Sequence, residues 1–251
     1  MAHVMMGRVE NIENLFIAGD FDERKIRCIP KALEEASRLE KISISWKVKN
    51  VCFLSIASIN IRSFSKHQKD IIADYKMMQK DVLCLQETWL HPDQNINHSF
   101  DDYDSCFASA GKGKGVATFS KIAFEEKVIL IDPDATFQLI KTVVKGITIF
   151  SVYISSNCSK LESVVAFLEQ HKTERSLIIG DFNFTPDDSN QITKQLQAWN
   201  FCQLIRSPTH KDGNILDHAY LSEALSNSTL SELHYVYYSD HQGLFIDIMN
   251  E

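Results

Sequence analysis

The residues of this chain that can do chemistry cluster where apolar runs stop. Leu177-Ile178-Ile179 runs into Gly180-Asp181-Phe182-Asn183, and Pro186 then stops the strand. Asp181 and Asn183 are two apart, so strand alternation turns both side chains to one side. A carboxylate and an amide delivered together from a rigid strand end can grip a metal ion, a water or a phosphate. Taken alone the pair reads more readily as an Asx turn closing the strand. Recurrence argues for chemistry. Asn60 closes the run Val51–Ile59, Glu87 follows Val82–Leu85, and Tyr153 ends another run. Asp217 with His218, and Asp240 with His241, complete the series. Brought together, these groups would make an oxygen-rich pocket suited to Mg²⁺ or Mn²⁺, hard ions held by carboxylates and water. With one dominant histidine and no thiolate spacing, zinc is disfavoured.

Strands and helices must carry these groups to one place. Strand-like runs occur at 51–59, 82–85, 103–108, 116–120, 128–131, 137–144, 147–154, 177–179, 216–221, 233–238 and 244–248. Three helices are predicted. One opens on a capping box, Ser65-Lys66-His67-Gln68, with Ile71, Ile72, Tyr75 and Met78 as its stripe. A second opens on Ser159-Lys160-Leu161-Glu162 and turns Leu161, Val164, Val165 and Leu168 inward. The third carries Ile192, Leu196 and Trp199. Many strands and few helices imply an α/β (α+β) fold, a four-layer α/β/β/α sandwich of two mixed sheets with flanking helices.

Composition narrows the class. Hydrophobic residues at 44% and charged residues at 24% suit a globular domain, and no apolar run is long enough to span a membrane. Cys28, Cys52, Cys84, Cys106, Cys158 and Cys202 lie at least 22 positions apart. That spacing offers neither a zinc ribbon nor a redox pair and favours a reducing, intracellular compartment. The net charge of −7 divides into +1 for residues 1–50 (9 basic less 8 acidic) and −8 for the rest (17 less 25). An acidic body can still bind phosphates where metal ions and clustered cations neutralise its site. Gly111-Lys112-Gly113-Lys114-Gly115 matches no nucleotide-binding loop. It reads as a hairpin loop whose Lys112 and Lys114 could touch a nucleic-acid backbone. His218 reads as packing, and His67, His91, His98, His171, His210 and His234 follow no ligand spacing.

A series of blocks, in order, resembles the endonuclease/exonuclease/phosphatase superfamily of apurinic endonucleases and pancreatic DNase. They are Ser58-Ile59-Asn60-Ile61-Arg62, Leu85-Gln86-Glu87-Thr88, Val152-Tyr153, Gly180-Asp181-Phe182-Asn183, Ile215-Leu216-Asp217-His218 and Ser239-Asp240-His241. The resemblance covers roughly residues 51–250. Glu87-Thr88-Trp89-Leu90 and Ser207-Pro208-Thr209-His210 are most similar to endonucleases of non-LTR retrotransposons and of Helitron-type helicase polyproteins. The resemblance implies a metal held by Glu87, with Asn60 orienting Glu87 or the metal's water and Asp240 helping a second ion. Asp181 would orient or deprotonate the attacking water. Asn183 and His241 would donate to phosphate oxygens, Asp217 would fix the tautomer of His241, and Tyr153 would reach the phosphate. Apurinic endonucleases carry an acid two residues after the Asn60 position. This chain has Arg62 there, as in the pancreatic DNase pattern, which implies a phosphate contact.

Residues 1–45 resemble the C-terminal tail of a Helitron-type helicase, on Gly7-Arg8-Val9, Leu15-Phe16-Ile17 and Lys25-Ile26-Arg27-Cys28-Ile29-Pro30. No phosphate-binding GxxxxGK[ST] accompanies them, so no ATP site is expected. The expected division is a tail and linker over 1–45 and a catalytic domain over 46–251. The expected activity is Mg²⁺-dependent (or Mn²⁺-dependent) hydrolysis of DNA by a transposon-derived endonuclease that leaves a 3′-hydroxyl, in an intracellular and nuclear setting. The alternatives are an inactive remnant that binds phosphate or nucleic acid, and a phosphatase or RNA exonuclease of the same superfamily.

Overall fold

The computed structural model describes residues 52–93, 99–187 and 190–249, so residues 1–45, where a helicase-like tail is expected, and His98 lie outside the described residues, as does Cys28. The apolar runs become strands because alternate side chains can be buried on two faces at once. Strands β1 (Cys52–Asn60), β2 (Val82–Gln86), β3 (Asp104–Ala108) and β4 (Val116–Ser120) build the first sheet with β11 (Thr229–His234) and β12 (Gly243–Met249). Its order is β11-β12-β1-β2-β4-β3. Strands β5 (Glu126–Ile131), β6 (Phe137–Val144), β7 (Ile147–Ile154), β8 (Ser176–Asp181), β9 (Phe201–Gln203) and β10 (Asp217–Ser222) build the second, in the order β5-β6-β7-β8-β10-β9. Both sheets are mixed: β1–β2 and β7–β8 run parallel and their other pairings are antiparallel.

Between the sheets lies one core, including Leu54, Ile56, Cys84, Ile149, Ile179, Ala219 and Ile246. The opposite faces carry a core each. Ala57, Ile59 and Leu83 pack under helices α1 (Phe64–Ala73) and α2 (Tyr75–Gln79). Phe150 and Ile178 pack under α3 (Leu161–His171) and α4 (Gln191–Ala198). Each fully buried Ile, Leu or Phe contributes roughly 1.5–3 kcal/mol by leaving water, so three stacked apolar layers hold the four-layer sandwich.

Some local expectations need correction. The first helix is capped by Ser63, whose hydroxyl accepts from Lys66 N at 3.4 Å, so Ser65 does not start it. Nor does one apolar stripe run through it. Asp74 ends α1 and caps α2 by accepting from Met77 N, which rotates the second helix. Ile72 and Tyr75 therefore stay exposed, while Phe64, Ile71 and Met77 turn inward. Helix α3 begins after Lys160 with no side-chain cap, and buries Phe167 beside Val164 and Leu168. The strand expected over 233–238 ends at His234, where pairing with Gly243 closes the ladder. Beyond it Val236 and Tyr238 fold onto the α1 core. The short strand β9 and the one-turn α5 (Glu223–Ser226) carry too little periodicity to be read in advance.

Register is what prepares a site. Parallel pairing of β1 with β2 sets Asn60 beside Gln86, and that of β7 with β8 sets Tyr153 beside Asp181. Antiparallel β10 adds Asp217 opposite Asp181. Below them Gln86 Nε2 donates to Ser58 Oγ and, at 3.4 Å across the sandwich, to Ser151 Oγ. That buried link ties the two sheets just under their functional ends.

Candidate active site

Asn60 is the junction. Its side-chain amide donates to Asp181 Oδ2 at 2.8 Å and to Glu87 Oε1 at 3.0 Å, joining a carboxylate from each sheet. Its own carbonyl oxygen accepts from Arg62 N, which fixes the amide's orientation. The second oxygen of Glu87 accepts from Trp89 Nε1 at 3.1 Å, so the indole aims this carboxylate.

Both strand ends leave the sheet through left-handed backbone, with φ of 48° at Arg62, 49° at Glu87 and 59° at Trp89. Such conformations cost about 1–3 kcal/mol each and persist only where neighbours enforce them. Here the two turns clamp each other through Ser63 N to Glu87 O and Phe64 N to Thr88 O. The glycine-rich loop clamps them from the far side through Thr88 N to Gly115 O and Trp89 N to Lys114 O. Gly115, at φ +96°, cannot be replaced without cost: a Cβ there would meet Thr88 Oγ1 at 2.6 Å.

On the second sheet, Asp181 accepts from Asn183 N at 3.0 Å and from the Asn183 amide at 3.1 Å. The same amide donates to Ile154 O. Asp217 Oδ2 meets His241 Nδ1 at 2.8 Å. Thr209 Oγ1 holds Asp217 in place by accepting from Leu216 N and Asp217 N. Ser239 does the same for His241, donating to Asn60 O and accepting from His241 N.

The electrostatics follow from burial. Asp181 is completely buried, and desolvation followed by repulsion from Asp217 raises its carboxyl well above the usual range, with His241 opposing. For His241 burial favours the neutral ring, but the hydrogen bond and charge of Asp217, with Asp181 and Asp240, outweigh it and push the pKa up to about 9. One ligand atom from each of Asp181, Asp217 and His241 lies within 4.8 Å of the others, and Asp217 Oδ1 is buried with no hydrogen-bond partner among the described residues. A carboxylate oxygen left unpartnered and the part-buried Glu87 carboxylate are ligands that suit a hard cation, whereas the His241 ring is engaged by Asp217 at Nδ1.

The other expected residues are placed as follows. The Tyr153 hydroxyl donates to Gly113 O at 3.1 Å, so it braces the glycine loop beneath the site. Burial, then Glu87 and Asp181, push its phenol upward. Arg62 reaches out of the site and pairs with Asp240. Asp240 Oδ2 also lies 3.3 Å from Lys211 Nζ and 3.5 Å from His210 Nε2. Lys112 is exposed, and Lys114 Nζ donates to Asp134 O. His218 packs face to face on Phe182, and burial lowers its pKa to about 4. His210 has no ligand spacing in sequence, yet pairs with His241 in an isolated β-bridge, their rings 4.8 Å apart. Ser207-Pro208-Thr209-His210 is the signal in the sequence; only the fold shows that Thr209, His210 and Lys211 line the site.

The model of a family described as Endonuclease/Exonuclease/phosphatase matches residues 57–241. No curated protein matches the chain significantly. Among solved structures, a variant of the 3′ phosphatase NExo from Neisseria, bound to product DNA hairpin, is 16% identical at a TM-score of 0.63, covering 78% of this chain and 99% of its own. An AP endonuclease from Archaeoglobus fulgidus is 20% identical at 0.63, with 78% and 99% covered. The endonuclease domain of TRAS1, a telomere-specific non-LTR retrotransposon, is 14% identical at 0.58, with 78% and 97% covered. At these identities the likeness is one of fold.

Proposed function

The chain belongs to the endonuclease/exonuclease/phosphatase family, and we propose that it is a metal-dependent phosphodiesterase, specifically a DNA endonuclease of transposon origin that leaves a 3′-hydroxyl. The observation that carries this reading is Asn60 holding Glu87 and Asp181 together from opposite sheets beside the Asp217–His241 pair. The likeness to a retrotransposon endonuclease domain supports the choice of DNA and of origin.

Glu87, aimed by Asn60 and Trp89, would hold Mg²⁺ or Mn²⁺. The bound ion would supply Lewis acidity toward the phosphoryl oxygens. Asp181 orients the attacking water and takes its proton, a task that suits a carboxylate whose proton affinity is raised. Asn183 was expected at a phosphate oxygen; since its amide serves Asp181 and Ile154, we assign it to steadying Asp181. His241 presents Nε2 to a non-bridging oxygen, because Asp217 occupies Nδ1. As an imidazolium it stabilises charge that grows in the transition state. Asp240, expected near a second metal, faces Arg62 and Lys211 and serves here as their counter-ion.

Supercoiled plasmid incubated with the protein tests the reading. Nicked circles should form with Mg²⁺ or Mn²⁺ and not with EDTA. Folded protein that nicks in neither metal would point instead to a remnant that has lost catalysis.

A further inference from the structure

We propose that Gln138 is a positioning residue for Glu87: from the second sheet it fixes the glycine loop, and through that loop it sets the direction of the metal-binding carboxylate. This rests on the metal-dependent reading above and deepens it, because it makes the metal affinity of one sheet depend on a side chain of the other.

Gln138 lies on β6 beside Tyr153 of β7 and is fully buried. A side-chain amide is costly to bury unless both of its ends are bonded. Here Oε1 accepts from Gly115 N at 3.0 Å, and Nε2 donates to Ala135 O at 3.0 Å. Both partners are backbone groups, so a flipped amide would set N–H against N–H and oxygen against oxygen. Its orientation is fixed. Neither bond belongs to the sheet ladder. Each goes to a loop, so what the buried amide secures is where those loops lie.

The Ala135 end is the anchor. Ala135 stands at φ 54° in the turn between β5 and β6, and its N donates to Asp132 O at 2.7 Å. Asp132 accepts in turn from Thr136 N and Oγ1, and pairs with Lys160 at 2.7 Å. The Gly115 end reaches the site. Gly115 O accepts from Thr88 N, and Lys114 O accepts from Trp89 N. Those are the two residues after Glu87, and the Trp89 indole holds Glu87 Oε2. Gly115 has no side chain to pack and sits at φ +96°, so its backbone bonds must hold it in place. The Tyr153 hydroxyl holds the same loop farther along, at Gly113 O. Two second-sheet side chains, paired across β6 and β7, thus brace the loop, and Gln138 braces the end that grips the Glu87 turn. A ligand held ready before the ion arrives binds it more tightly, which is how groups outside the ligand set raise metal affinity.

The test is Mn²⁺ binding to the full chain without DNA, measured by calorimetry, with thermal melts and Mn²⁺-dependent plasmid nicking recorded alongside. Gln138→Leu and Gln138→Met both fill the space and lack the amide, and the unbranched Met follows the path of the original side chain. Ile192→Val, in the core under α4, is a destabilised control, and Glu87→Gln reports loss of the ligand. Each Gln138 variant should weaken Mn²⁺ binding about three- to tenfold, less than the roughly ten- to hundredfold of a group bonded to the ligand itself. Nicking should need correspondingly more Mn²⁺, yet at saturation reach a rate within about twofold of the parent's. Ile192→Val should melt lower and bind Mn²⁺ as the parent does. Parental Mn²⁺ affinity in a folded Gln138 variant, or an equal loss in Ile192→Val, overturns the role of Gln138. If Glu87→Gln loses Mn²⁺ while the Gln138 variants keep it, only that role falls. If Glu87→Gln binds Mn²⁺ like the parent, the metal site at Glu87 and the role of Gln138 fall together.

Discussion

At the scale of single residues, the site separates groups that would hold a cation from groups that would handle phosphate. Glu87 has both oxygens oriented by neighbours and is only part-buried, whereas His241 is enclosed and tied to Asp217, which pushes its pKa up to about 9. Glu87→Gln should therefore weaken metal affinity, with activity partly restored at high Mn²⁺. His241→Ala should lose about 3–4 kcal/mol of transition-state stabilisation, on the order of a hundred- to a thousandfold in rate, with unchanged metal dependence. Cleavage rate against metal concentration separates the two. Rescue of His241→Ala by excess Mn²⁺, without rescue of Glu87→Gln, would reverse the assignment. Most of these residues were legible because acids and amides at the ends of buried runs are conspicuous. Lys211 and His210 were not, because nothing in a loop's composition says which strand end it will lie against.

At the scale of elements, the strand that delivers Asp181 depends on its neighbour one position earlier. Gly180 sits at φ +146°, and a Cβ there would come within 2.0 Å of Val152 O on the adjacent strand. Backbone cannot yield as a flexible side chain can. Gly180→Ala should cost upwards of about 3 kcal/mol, combining a forbidden backbone angle with overpacking. The expected result is a urea midpoint far below the parent's or insoluble protein; a midpoint close to the parent's would mean that β7 and β8 can part locally. The helices teach the converse lesson. Their apolar spacing is visible in the sequence, but Asp74 competes for backbone N–H groups and restarts the helix, so Ile72 and Tyr75 lie off the inner face that the spacing predicts.

At the scale of the whole molecule, the packed second sheet carries an acid-sensitive point. His218 is buried on Phe182 and hydrogen-bonded to Tyr220 and Ile215, with a pKa of about 4 against an ordinary 6.5. The native state therefore prefers the neutral ring. Its contribution is whole above pH 6.5 and is lost as pH falls from there through about 4, because the unfolded chain takes up the proton first. The gap corresponds to about 3 kcal/mol at most. Urea midpoints from neutral pH down to pH 4 should fall less steeply for His218→Gln than for the parent. Equal slopes would show that other groups govern the acid response.

The order of apolar runs and polar strand ends in the sequence was enough to determine two mixed sheets with helices outside, and to name Asn60, Glu87, Asp181, Asp217 and His241 as a set. Alternation and burial are local properties, so they are written in local sequence. Only the tertiary structure decided that the Asn60 amide bridges Glu87 and Asp181, that the Tyr153 hydroxyl braces Gly113, and that Asp240 answers to Arg62 and Lys211. Those facts depend on register between strands far apart in the chain and on the stacking of one sheet upon the other. No spacing along a single strand encodes them, because each is fixed by which buried faces pack together.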